Sequence, residues 1–387
     1  MAYYNTIRNP GDFLKAALSQ QAVSFMALQQ SESWESAASQ WGIQYLFACR
    51  VICKQPSDIL PLLADRIYPG CETGIHHCID NLIQGPRGEP ATLRQMAELQ
   101  IVRTYKPESL GYVWAALAHL LQPDSHIRQT MTSERPVRAR NRSDHGEYIS
   151  TEGFQISSSP LERPNTASSL PSSVGYMERS SAPLVEDYTV RFLSCLIRCV
   201  LNYAQPVDKK LPFIEYRDGR LTYREPGVGK PFEAVDDGGV QLMHPSENFQ
   251  VAILEAKRSF QDISDGSPTV SNELLAQIAG EALALRLSSD ANCISAENII
   301  SIVAVKYYIK IFHFNITDDF VYHFKTLLPT DESPDMSTYL KVDSTVWFDM
   351  RELTGRKYFV RHLLALVAWA DTITNSEDSE DSMDMEE

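Results

Sequence analysis

The sequence predicts an α/β domain behind an all-helical N-terminal module. Three observations lead there. Apolar residues recur at helical spacing through residues 1–125, whereas from residue 211 onward they fall into short extended runs. A stretch rich in Ser, Pro and Arg separates the two regions. One long helix, opening at Ser271 or Asn272, then interrupts the extended runs.

In chain order, helical spacing covers Asp12 to Gln30, Glu32 to Lys54, Ser57 to Tyr68, Cys78 to Ile83, Ala91 to Tyr105 and Ser109 to Leu121. Pro10, Pro56, Gly70, Pro86, Pro90, Pro107 and Pro123 punctuate these segments. The predicted organisation is a helical module over 1–126, a disordered linker over 127–183, a second domain over 184–370 and a disordered acidic tail over 371–387. The linker carries four arginines in the eight residues Arg135 to Arg142, which suit either a nuclear-import or phosphate-contacting patch or a solvated charge run.

The second domain opens on an amphipathic helix, Leu184 to Tyr203. Leu211 to Tyr216 and Arg220 to Arg224, joined by Asp218-Gly219, read as a hairpin. Gly227-Val228-Gly229-Lys230 is a turn, because Pro231 follows the lysine where a phosphate loop needs Ser or Thr opening a helix. Phe232 to Met243 is extended, His244 to Asn248 is a polar turn, and Val251 to Arg258 is an apolar strand. The helix over 271–287 follows. Ile299 to Val305 and Tyr308 to Phe314 are further strands, as are Asp319 to Phe324 and Thr345 to Met350. Glu352 to Ala370 closes the domain as a helix.

The chemistry concentrates at Glu255 and Lys257. Side chains alternate across a strand, so residues two apart project from one face. A carboxylate and an ammonium side by side at the end of a buried strand are costly to keep for packing alone. Asp236 and Asp237 precede a Gly-Gly step, and the hairpin formed by the two extended segments brings one of them beside Glu255. Converging carboxylates with no nearby Cys or His suit Mg²⁺ or Mn²⁺ rather than zinc. Gln277 and Glu281 share one stripe of the following helix.

This order of acid, E-x-K, Gln-bearing helix and further strands resembles the PD-(D/E)XK nuclease superfamily, over about 184–324, and the Ala-rich Gln277 helix resembles fungal members. The resemblance implies a restriction-endonuclease-like fold, in which a central mixed sheet is flanked by helices. It implies a Mg²⁺-dependent nuclease that cleaves phosphodiester bonds. Carried over by position, the first acid falls on Asp237 or Asp236, the E-x-K pair on Glu255 and Lys257, and the helix glutamine on Gln277. Val235 stands where the motif has proline. Glu186 is the candidate for a further acid on the preceding helix. Asp236 or Asp237 and Glu255 would hold the ion, with the Ala256 carbonyl as a third ligand. Lys257 would orient the ion's water or stabilise charge on the phosphate, and Gln277 would position Lys257 or a phosphate oxygen. Arg258 either contacts a nucleic-acid backbone or is simply exposed. The alternative function is a catalytically inactive descendant of the fold that acts as a protein-protein interaction module.

Composition bounds these readings. With 387 residues, 43% of them hydrophobic, the chain can build substantial cores. No run of 18 apolar residues occurs, so no membrane span is expected. Met1 to Asn5 lack a secretory signal's features. Seven cysteines scattered through apolar segments suit a reducing compartment, and Cys71, His76, His77 and Cys78 match no zinc spacing. An intracellular location, nucleus or cytoplasm, is therefore expected. The net charge of −15 argues against indiscriminate nucleic-acid binding, yet residues 371–387 hold eight acids and no base. The expected partners are nucleic acid, DNA or RNA, and a protein bound through the helical module.

Overall fold

From Gln250 to Ala256 every residue is buried, although successive side chains point to opposite faces. Such a strand needs cover on both sides, and the rest of the fold supplies it. A computed structural model describes residues 2–88, 90–121, 183–226, 230–245, 247–260, 263–264, 267–289, 291–331 and 336–383. The expected linker over 127–183, with its Arg135–Arg142 stretch, lies outside the described residues up to residue 182, as does the Gly227–Gly229 turn.

Twelve strands are described: β1 (Val51–Cys53), β2 (Phe213–Arg217), β3 (Thr222–Arg224), β4 (Glu233–Val235), β5 (Gly239–Met243), β6 (Asn248–Lys257), β7 (Ile263–Ser264), β8 (Ser267–Pro268), β9 (Asn298–Val305), β10 (Tyr308–Asn315), β11 (Leu340–Ser344) and β12 (Phe348–Asp349). Eight of them build one mixed sheet in the order β1-β11-β10-β9-β6-β5-β2, with β12 also on β10. β6 runs parallel to β9 and β1 parallel to β11, and the other neighbours are antiparallel. β3 and β4 form a separate pair, as do β7 and β8.

The helices are α1 (Tyr3–Thr6), α2 (Pro10–Ser19), α3 (Phe25–Gln30), α4 (Ile43–Ala48), α5 (His77–Gln84), α6 (Glu98–Thr104), α7 (Glu108–Leu120), α8 (Pro183–Ala204), α9 (Asn272–Leu287), α10 (Asp318–His323) and α11 (Leu353–Met383). α5, α7, α8 and α11 cover one face of the sheet, where Leu82, Leu117, Leu196 and Leu363 meet Leu254, Ile302 and Ile311. The N-terminal residues and α9 cover the other, where Phe13, Trp41, Leu275 and Leu283 meet Ile253, Val303 and Phe312. Each such side chain removed from water stabilises the fold by roughly 1.5–3 kcal/mol. α9 comes close because residue 280 is glycine: a Cβ there would lie 2.8 Å from that of Ala38. No helix among the described residues is long and apolar enough to cross a membrane.

Several expectations need correction. Residues 1–121 are not all helical. The helix expected over Glu32–Lys54 gives way to a 3₁₀ turn (Ala38–Gln40), α4 and β1. Arg50 adopts φ 50°, and Val51 then pairs with Leu340, so sheet pairing overrides local helical spacing. The helix expected over Asp12–Gln30 breaks at Gln21, also at φ 50°, and restarts at the Ser24 cap. Nor do the first residues form a core of their own, since they share both hydrophobic cores with residues 183–370.

The hairpin expected at Asp218-Gly219 does not form. β2 pairs with β5 and β3 with β4, because Ile214 and Tyr216 pack into one core and Tyr223 into the other. The strand expected over Asp319–Phe324 is α10. Thr317 caps it by accepting from the Phe320 amide at 3.2 Å, and Asp318 and Asp319 suit a helix N-terminus. α11 runs on past residue 371 to Met383, with no Pro or Gly after Gly355.

Candidate active site

The site forms where β5 and β6 meet under α9. Gly238 at φ 136° turns the chain out of β4 and into β5. Its carbonyl accepts from the Leu254 amide at 3.0 Å, while the Asp237 amide donates to the Leu254 carbonyl at 2.9 Å. These bonds pin Asp237 beside the end of β6, and its Oδ2 accepts from the Ala256 amide at 3.0 Å. Alternation carries Glu255 and Lys257 to the face under α9. Ser271 caps α9 by accepting from the Leu274 amide at 3.1 Å. That sets the helix phase that turns Gln277 and, one turn later, Glu281 toward the sheet.

The side chains interlock. Lys257 Nζ lies 2.7 Å from Glu255 Oε1 and donates to Gln277 Oε1 at 2.8 Å. Gln277 Nε2 donates to Glu255 Oε1 at 2.7 Å and to Glu281 Oε1 at 2.8 Å. Arg220 Nη2 reaches Asp237 Oδ1 at 3.0 Å. Glu186 is buried on the first turn of α8, and its charge acts on both Asp237 and Lys257. Three residues on, the Thr189 hydroxyl donates to the Lys257 carbonyl at 3.4 Å, which docks α8 against the strand end.

Buried negative charge dominates this cluster. Burial pushes the Asp237 carboxyl well above the usual carboxylate range, and Glu255 adds to the shift. Burial and Glu255 do the same to Glu281, whose Oε2 is buried without a hydrogen-bond partner among the described residues. Lys257 responds oppositely. Burial pulls its pKa down, but Glu255, Glu281 and Glu186 together outweigh that and hold it raised, so it stays an ammonium at neutral pH.

Asp237, Glu255, Lys257, Gln277 and Glu186 are thus brought together. Two other candidates are not. Asp236 points away from Glu255 and is bonded to Arg217, to the Tyr223 hydroxyl at 2.6 Å and to the Leu221 and Gly238 amides. Consecutive residues at this turn face different ways, and Asp236 has no oxygen left for an ion. Arg258 is exposed beyond the end of β6. Two residues of the site escaped the expectations. Glu281 was signalled by its position four residues after Gln277. Arg220 had no signal, because only the β2–β3 connection brings it to Asp237.

The donors here are oxygens, which suit a hard divalent cation. The orphaned Glu281 oxygen and the raised Asp237 and Glu281 pKa values mark acidity that the nearby cations leave uncompensated. Among the described residues, no group of three or more His, Cys, Asp or Glu side chains stands ready to chelate an ion. Arg220 and Lys257 instead hold the acids. The chain matches no protein family, no curated protein and no solved structure.

Proposed function

We propose that the protein is a nuclease of restriction-endonuclease-like fold that uses Mg²⁺ or Mn²⁺ to cut phosphodiester bonds in DNA or RNA. The observation that carries this reading is the convergence of Asp237, Glu255, Lys257 and Gln277 at one strand end. Asp237 and Glu255 would hold the ion. When bound, such an ion polarises the phosphate and acidifies a water. Lys257, kept charged by the surrounding acids, offers a fixed cation to the charge that develops on the phosphate. Gln277 locks Lys257 and Glu255 in register by bonding to both. The purified chain is expected to cleave at least one of single- or double-stranded DNA or RNA with Mg²⁺ or Mn²⁺, and to stop in EDTA. No cleavage of any of them, together with no binding of either ion, contradicts the reading.

One observation favours a second reading. Arg220 on Asp237 and Lys257 on Glu255 neutralise the two acids from within the chain. A catalytically inactive descendant of the fold, acting as a protein-protein interaction module, would keep such pairs for structure alone. Absence of ion binding would favour it.

A further inference from the structure

We propose that Cys78 and Cys199 form a reversible disulfide when the protein meets a hydroperoxide, a covalent clasp between α5 and α8. The inference is independent of the nuclease reading above, since neither thiol belongs to that site.

All seven cysteines are free thiols. Cys78 is the second residue of α5, and Cys199 lies in the last two turns of α8. Their Sγ atoms are 3.4 Å apart, although 121 positions separate them in the chain. Both residues are fully buried in one core. A disulfide has an S–S distance of about 2.05 Å, so the sulfurs need to approach by only about 1.3 Å. Ser109, half-buried on the first turn of α7, hydrogen-bonds to both thiols. The hydrogen bond to Cys199 lowers the Cys78 pKa against the effect of burial, and Ser109 adds to that lowering. Burial instead raises the thiols of Cys49, Cys53, Cys71, Cys195 and Cys293. Cys78 is therefore the thiol that attacks.

With hydrogen peroxide the step balances as follows. The Cys78 thiolate attacks one peroxide oxygen, the O–O bond breaks, and Cys78 becomes a sulfenic acid. The hydroxide released takes up the proton that Cys78 gave off and leaves as water. Cys199 Sγ then attacks Cys78 Sγ, the S–S bond forms and the S–O bond breaks. That second hydroxide takes the Cys199 proton and leaves as water. The two thiols supply two electrons, and one peroxide accepts them. The half-buried Ser109 hydroxyl links the sulfurs to the surface, which gives so small an oxidant a polar way in. Because the bond joins positions 121 apart, it restricts the unfolded chain strongly and stabilises the fold.

The test treats the full chain with hydrogen peroxide, maps its tryptic peptides by mass spectrometry without reduction, and follows the melting temperature. Trypsin cuts after Arg198 and so separates Cys195 from Cys199. A peptide pair linking Cys78 to Cys199 is expected, and the oxidised chain should melt about 5 °C or more above the reduced one. Dithiothreitol should reverse both changes. Cys195 is the control, because it lies one turn before Cys199 and is only half-buried. Cys195→Ser should keep the link and the gain in melting temperature, and Cys78→Ser should lose both. The first reading is made on wild type, so it stands whether or not a variant folds. The proposal is overturned if oxidised wild type yields no Cys78–Cys199 pair, if either thiol is linked to Cys195 instead, or if the link leaves the melting temperature unchanged or lower.

Discussion

Asp236 and Asp237 are neighbours in the chain, both fully buried and both bonded to an arginine, yet their surroundings differ. Asp236 accepts from Arg217, Tyr223 and two backbone amides. Each donor is fixed and the site is sealed. Asp237 is bonded to the Ala256 amide and to Arg220 on an exposed turn, and faces Glu255 and Glu186. A buried carboxylate surrounded by donors is structural. One surrounded by other acids is under strain that a cation relieves. Burial alone does not separate the two cases, but the acids that face Asp237 do.

That contrast can be broken by mutation. The largest effect is expected at the sealed cluster. Asp236→Ala leaves Arg217 buried without its partner and should cost about 3–5 kcal/mol of stability. Chemical denaturation checks this, and a loss under 1 kcal/mol would show that the cluster is not structural.

Next comes a buried group outside both clusters, which separates acid effects on the fold from those on the site. His362 accepts from the Leu60 amide at Nε2 and donates from Nδ1 to the Tyr358 carbonyl at 2.7 Å, so it is held neutral. Burial lowers its pKa from 6.5 to about 4. The unfolded chain takes up this proton first as the pH falls. The stability His362 contributes is therefore complete above pH 6.5 and is lost on going down toward pH 4. The loss is on the order of 3 kcal/mol. His362→Gln should flatten the melting-temperature profile across that window, and an unchanged profile would contradict the assignment.

The smallest effect is expected at Glu281. Its Oε2 is orphaned, so Glu281→Gln removes acidity the metal-free fold tolerates poorly while keeping an oxygen for Gln277 Nε2. Stability at pH 7 should rise by about 1 kcal/mol. A fall would mean that Glu281 is charge-paired within the cluster.

Much of this site was legible before the structure. Alternation along Val251–Lys257 places Glu255 and Lys257 on one face, and the Ser271 cap with apolar spacing announces α9 and its Gln277. The hairpin joining Asp237 to β6 was readable from the Gly-Gly step and the polar turn after it. The choice between Asp236 and Asp237 was not, since it depends on which of them meets Arg217 and Tyr223. Arg220 was hidden for the same reason: local pattern joined β2 to β3, whereas tertiary packing sends them to different sheets. β1 was read as helix because Val51-Ile52-Cys53 fits either period, and only pairing with β11 decides it.

The proposed nuclease chemistry rests on the Asp237–Glu255–Lys257 cluster. The most direct test compares Mg²⁺-dependent nucleic-acid cleavage by wild type, Glu255→Gln and Lys257→Ala, with melting temperature measured alongside. Losing one ligand or one fixed cation should lower the rate by about a hundredfold or more, while both variants still melt cooperatively. Cleavage by wild type and by folded Glu255→Gln at equal rates would contradict the account.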